Sequence, residues 1–388
     1  MSERRFMRTV ITNTGRPAPP HLRPGRASTG LRTLAILLTP PPVRKHFASL
    51  DGLRGVAALA VVGSHFENLS GFELYLQQAG VAVDFFFVLS GFVIAQAYEQ
   101  RLLTDMTWRR YMGIRLARLY PAIFGGVLAG LIVAGVAGEP LSVWLGLQFL
   151  LLPVLQGAAV HGGELFPLNG PQWSLFWELA INGVHAAVVR WLTTPVLIGV
   201  IAVAAGALIW TSLLFGSLDV GWSRANLMGA LPRVVYSFGV GLLIFRAHTR
   251  GFTPPKVPYV IIVIGLIVCM FRAFPDLGGF AIRDLVVVLV ILPALVTLAI
   301  ASPLSARAER WAIFLGALSY PLYAIHVPLL RAFNVIVDTL PDDAQTPAWW
   351  VSLILTLGLA VLFERFYDAP IRRWISSRRR VSQDPARV

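Results

Sequence analysis

The chain has 388 residues, 56% of them apolar and 14% charged, with a mean hydropathy of +0.68 and a formal net charge of +13. That composition excludes a water-soluble globular domain and reads as a polytopic membrane protein. The single cysteine, Cys269, excludes a disulfide framework and a cysteine-based metal site; no HExxH pair, EF-hand loop or Walker loop occurs, so no metal is expected.

In chain order, residues 1–46 come first: nine basic residues against one Glu, many prolines and no sustained apolar periodicity. They read as a disordered cytoplasmic leader. Apolar stretches of bilayer-crossing length follow at 52–67, 79–98, 119–138, 173–191, 195–215, 229–247, 258–273, 284–302, 311–331 and 349–366, giving an all-α membrane domain of about ten transmembrane helices over 47–376. The stretch 141–155 is apolar but short and carries Pro153, so it is expected to be a re-entrant or interfacial piece. Residues 377–388 read as a cytoplasmic tail.

Charge placement sets the orientation. With both termini inside, the inner segments hold Arg44, Lys45, Arg101, Arg109, Arg110, Arg115, Arg118, Arg190, Arg246, Arg250, Lys256, Arg307, Arg310 and the Arg365–Arg380 tail. The outer side holds only Arg224, Arg233, Arg272, Arg283 and Arg331, accompanied by Glu67, Glu73, Glu139, Glu164, Asp219, Asp276, Asp338, Asp342 and Asp343. Topology and a basic tail suited to anionic headgroups explain the net charge, and no nucleic-acid partner is expected.

The first stretch carries Arg54 and His65 eleven residues apart. Eleven helical steps of 100° return to within about 20° of the start and climb roughly 16 Å. One helix face therefore bears a cation near one surface and an imidazole deep in the bilayer, where ionisable groups face a bundle interior or a wet cavity. Asp51 lies one turn before Arg54, where it could orient Arg54 by a salt bridge, and is expected rather to cap the helix start. Asp84, in the second stretch, falls at the same depth as His65, and a carboxylate-imidazole contact is expected. Arg115 and Arg118 share a face at the start of the third stretch. In the fourth, Glu178 follows Trp173 and Trp177, a combination suited to sugar hydroxyls and ring faces or to an interfacial aromatic belt. In the ninth, Tyr323 and His326 share a face inside a segment bounded by Pro321 and Pro328. His185 and Trp144 read as packing, and Arg109 and Arg110 as topology anchors.

Three elements resemble one family: Leu50-Asp-Gly-Leu-Arg-Gly55 leading to Ser64-His65, Gly80-Val-Ala-Val-Asp-Phe-Phe-Phe-Val-Leu-Ser-Gly-Phe92, and Arg115-Leu-Ala-Arg-Leu-Tyr-Pro121. In this order they resemble the membrane acyltransferase-3 family over about 47–376, as does Leu318-Ser-Tyr-Pro-Leu-Tyr-Ala-Ile-His326. The resemblance implies a bacterial inner-membrane O-acyltransferase that takes an acyl group, usually acetyl, from cytoplasmic acyl-coenzyme A to a hydroxyl of a carbohydrate or glycoconjugate. Acetyl-coenzyme A would be co-substrate. On that reading His65 is the general base with Asp84 beside it, Arg54, Arg115 and Arg118 hold the carrier phosphates, and Glu178, Trp173, Tyr323 and His326 line the substrate path. Some relatives carry a fused extracytoplasmic esterase-like domain; here either the membrane domain completes the transfer or a separate periplasmic transferase does. The rival reading is a polytopic transporter of a polar solute or lipid-linked sugar, although no matching halves are visible.

Overall fold

The computed structural model describes residues 46–76, 79–155, 163–271 and 279–381. The expected leader, apart from residue 46, lies outside the described residues, as does the end of the expected tail. Among the described residues every element of length is helical: α1 (Ala48–Ser70), α2 (Val81–Thr104), α3 (Trp108–Val136), α4 (Gln172–Val188), α5 (Thr194–Phe215), α6 (Ala230–Thr249), α7 (Tyr259–Met270), α8 (Gly279–Val286, continuing through Val287–Ile291 into Leu292–Ala299), α9 (Ala306–Val337) and α10 (Asp342–Phe363, continuing through Glu364–Asp368 into Ala369–Val381).

Each expected stretch thus coincides with one helix. Seven of them, α2, α3, α5, α6, α8, α9 and α10, are long and apolar enough to cross a membrane by length and composition. At 23 residues α1 is about 34 Å long, and what lowers its apolarity is the polar series Asp51, Arg54, Ser64, His65, Glu67 and Asn68. The remaining two, α4 and α7, have 17 and 12 residues. The stretch expected to be interfacial forms a 3-10 helix, Val143–Leu150, about 16 Å long, too short to span. Its buried Gln148 accepts from the Leu168 amide at 3.1 Å, and the Gln148 carbonyl accepts from the Gln172 side chain at 2.6 Å. The first residues of the expected tail are helical, α10 continuing to Val381.

The order of contacts fixes the helix directions. Asp51 meets Gly316, Arg54 meets Ser319 and His65 meets His326, so α1 and α9 run parallel and form one seam. Along α2 and α6, Asp84 pairs with Arg233, Gly91 packs on Phe238 and Glu99 pairs with Arg246, again parallel. α3 also runs with α9, Tyr320 bonding the Leu119 carbonyl and Gly126 packing on Ala324. By contrast α4 is antiparallel to α3, with Trp108 on Gly183 and Arg115 on Glu178.

Glycine sets the closest crossing. A Cβ on Gly91 would strike the Phe238 carbonyl and one on Gly241 the Val88 carbonyl, backbone atoms that cannot swing away. Gly91→Leu is therefore expected to lower the stability of the detergent-solubilised protein by more than about 3 kcal/mol, read as loss of the monodisperse peak in size-exclusion chromatography. A wild-type melting profile for Gly91→Leu would contradict this crossing.

Proline leaves the second local signature. Because Pro328 has no N–H, the Ala324 carbonyl four residues earlier lacks its helical donor; the buried Asn169 side chain supplies one at 2.7 Å. Pro293 likewise frees the Leu289 carbonyl, and the Tyr236 hydroxyl donates to it at 2.7 Å. A loop side chain and a side chain from another helix thus repair these two breaks, as a hydrocarbon environment requires.

Candidate active site

The α1–α9 seam carries polar groups at two levels. At the first, the Arg54 guanidinium donates through Nε to Ser319 Oγ at 3.1 Å and through Nη2 to Asp51 Oδ1 at 2.5 Å and the Gly316 carbonyl at 3.1 Å. α1 begins at Ala48, so Asp51 sits inside the first turn and orients Arg54. Gly316 admits this contact because a Cβ there would overlap the Asp51 side chain.

The same level receives the two arginines of α3. Arg115 is buried and pairs with Glu178 Oε1 at 2.8 Å, an oxygen that also accepts from Ser90 Oγ at 3.1 Å. Arg118, one turn on, is exposed and makes no hydrogen bond or ion pair with a described residue. It lies within electrostatic reach of Arg115, Arg54, Glu178 and Arg372. Arg372, on the last part of α10, is held by Glu364 at 2.8 Å and Asp368 at 2.7 Å. Arg118 is thus the cation of the group left for an outside anion.

About 16 Å further along α1 lies His65, half-buried, its ring centroid 5.1 Å from that of His326 at a 51° tilt. His326 is fully buried, with Nδ1 2.9 Å from the Tyr323 carbonyl and 3.1 Å from that of Leu322. Between the two levels stand Tyr320, whose hydroxyl bonds the Leu119 carbonyl, and Tyr323, whose hydroxyl lies 2.7 Å from Ser174 Oγ and whose ring meets Phe86 edge-on at 5.6 Å.

Two expected pairings are not formed. Asp84 is fully buried and accepts from Arg233 Nη2 at 2.6 Å and Nε at 3.2 Å, with Ser237 Oγ at 3.4 Å; it makes no contact with His65. Arg233 spends its remaining donors on the carbonyls of Val220 at 2.7 Å and Gly80 at 3.0 Å. A buried carboxylate takes the strongest donor in reach, and a guanidinium outcompetes an imidazole. Trp173 and Glu178 are also separated. Trp173 is buried over the Arg233 guanidinium, 5.4 Å from it, while Glu178 turns to Arg115, so the two do not make a shared sugar platform. Sequence reading missed Arg233 as the partner of Asp84; the signal was a second ionisable residue in the sixth apolar stretch.

Near the His65 level the segment 163–170 crosses the helix ends. Glu164 forms a bridge with Ser223, and Arg331 of α9 donates to the Pro167 carbonyl. Burial pushes the Glu164 carboxyl above the usual range, partly countered by Arg331. Among the described residues no cluster of His, Cys, Asp or Glu is arranged to hold a metal ion.

Comparison with known proteins agrees with this arrangement. The acyltransferase domain family matches residues 47–365, a stretch that contains Arg54, His65, both α3 arginines and His326. This chain belongs to the acyltransferase family. Among its relatives, the "Protein 2 in picA locus" of Rhizobium radiobacter is 38% identical over 171 residues, 39% of this chain and 84% of that protein. The acyltransferase MdmB of Streptomyces mycarofaciens is 35% identical, over 36% of this chain and 38% of its own length. The peptidoglycan O-acetyltransferase OatA of Listeria monocytogenes is 24% identical over 85% of this chain, which spans 56% of that relative. No solved structure matches. The all-α, multi-pass architecture and the acyltransferase assignment read from the sequence both hold.

Proposed function

We propose that this acyltransferase moves an acyl group, acetyl or another short chain, from cytoplasmic acyl-coenzyme A to a hydroxyl of a carbohydrate or glycoconjugate at the periplasmic side of a bacterial inner membrane. The observation that carries this reading is the two-level seam: an uncompensated guanidinium, Arg118, gathered with Arg54 and Arg115 at one level, and the half-buried His65 at the other. Guanidinium groups match phosphate geometry, and an extended carrier arm leading inward from them would present its thioester toward the imidazole. His65 takes the proton of the acceptor hydroxyl as its oxygen attacks the thioester carbonyl. The tetrahedral intermediate then expels the coenzyme A sulfur, which recovers that proton from the imidazolium. The alternating helix directions and the basic inner segments support the orientation. The relative named for peptidoglycan O-acetylation supports a carbohydrate acceptor.

Purified protein in detergent should release free thiol from acetyl-coenzyme A in the presence of acceptor polysaccharide, and should bind labelled acetyl-coenzyme A alone. Absence of both would overturn the proposal. Arg118→Ala is expected to raise the apparent KM for acetyl-coenzyme A about tenfold or more, the value of a charge-assisted hydrogen bond, with little change in kcat. Arg115→Ala should lower both donor affinity and kcat, because it also releases Glu178 and Ser90. Donor kinetics unchanged in both variants would return these arginines to topology anchors.

A further inference from the structure

The partner that His65 lacks in Asp84 is supplied by another group on the seam. We infer that His326 is the positioning residue of His65: a second, permanently neutral imidazole whose Nε2 lone pair accepts the N–H of His65, leaving the other His65 nitrogen bare for the acceptor hydroxyl. This rests on the proposed role of His65 as base and deepens it.

Four observations carry the inference. His326 Nδ1 faces two backbone carbonyl oxygens, and carbonyls only accept, so that nitrogen bears the proton. The same bonds leave Nε2 as an acceptor, and it is buried without a partner, a costly state unless a donor reaches it in the working enzyme. The ring separation is the right one: two imidazoles joined by one N–H···N bond have centroids about 5 Å apart, from roughly 2.9 Å between nitrogens plus the two ring radii, and here the separation is 5.1 Å. The bond itself is not made, and unliganded sites commonly hold such bonds open until substrate seats. Finally, the carboxylate expected beside His65 is engaged elsewhere, Asp84 being bound to Arg233, while the charged group in electrostatic reach of His65 is Arg331, a cation that also faces Glu164. His326, which touches His65 and Tyr323 by its ring, is the neutral acceptor available.

The fold makes the tautomer a property of the helix. His326 sits four residues after Leu322 and three after Tyr323, in a helix whose next turn is interrupted at Pro328 and repaired by Asn169. Its ring therefore cannot turn without giving up both carbonyls. During transfer His65 gains a proton at its bare nitrogen while its other N–H stays on His326 Nε2, and the proton later leaves to the coenzyme A sulfur. His326 itself neither gains nor loses one.

The test uses the full-length protein in detergent, with histidine labelled in its ring nitrogens, and reads tautomers by nitrogen NMR alongside kinetics of thiol release. The wild-type spectrum should show His326 protonated at Nδ1 alone, and a single tautomer of His65 when acetyl-coenzyme A is bound. His326→Phe keeps the ring volume and removes the acceptor; it should mix the His65 tautomers and lower kcat about 10²-fold, with the donor KM within twofold. His326→Gln, whose amide oxygen can accept, should keep kcat within about tenfold of wild type. A wild-type His326 protonated at Nε2, or a His326→Phe enzyme with wild-type kcat, would overturn the inference. Should the wild type neither release thiol nor bind acetyl-coenzyme A, the proposed function fails separately, and the spectrum still reports on the pair. The wild-type spectrum needs no variant to fold.

Discussion

In a purified sample, His65→Ala is expected to slow acceptor-dependent thiol release by about 10³-fold or more, with expression, detergent elution profile and acetyl-coenzyme A binding unchanged. The separation of effects follows from the two levels of the seam. The carrier phosphates are assigned to Arg54, Arg115 and Arg118, roughly 16 Å from the imidazole, and His65 makes no hydrogen bond to a described residue whose loss would disturb the helices. Its ring meets His326, and truncation leaves a space that neighbouring side chains or the acceptor can occupy. Binding titrations and single-turnover thiol release on the same preparation check the split. A variant within tenfold of wild-type turnover would remove His65 from the chemistry.

The second large effect concerns stability. Arg233→Met is expected to destabilise the protein by about 3–5 kcal/mol, because it strands the Asp84 carboxylate at zero exposure and frees the Val220 and Gly80 carbonyls. Asp84→Asn should cost less, since the amide oxygen still accepts from Arg233. The double change Asp84→Leu with Arg233→Met should recover part of the loss, two apolar groups being better tolerated in a membrane bundle than one buried unpaired charge. Thermal unfolding in detergent measures all three. Equal melting temperatures for wild type and Arg233→Met would mean that the pair does not hold α2 to α6. If Asp84 instead served His65 directly, Asp84→Asn would lose turnover out of proportion to its stability, so paired melting and kinetic data decide between clamp and catalyst.

How much of this could be read from the sequence differs by level. Helix positions were legible because a bilayer demands long apolar runs, and the runs predicted from residue 52 onward each carry a helix. The short stretch at 141–155 was legible from its length and Pro153. The phase relation of Arg54 and His65 was legible from helical periodicity, and both lie on the face of α1 that meets α9. Neighbours were not. Periodicity says which face is polar and is silent about which helix receives it, so the partner of Asp84 was sought on the adjacent antiparallel helix and is found 149 residues away on α6. The same blindness set Glu178 beside Trp173 when its charge is taken by Arg115 on α3. Asn169 and Tyr236 escaped notice because their task, serving carbonyls released by Pro328 and Pro293, exists only once the helices are packed.

The parallel pairing of α1 with α9 has a consequence for biogenesis. Arg54 and Ser319, the two ends of one hydrogen bond, are separated by 265 residues. At about 5–20 residues per second of synthesis, α1 waits roughly 13–53 s in the membrane before its partner emerges, with a guanidinium and an imidazole on one side. The seam is therefore closed only after the seven intervening helices have been made. A chain interrupted before α9 would present the polar face of α1 without the helix that covers it.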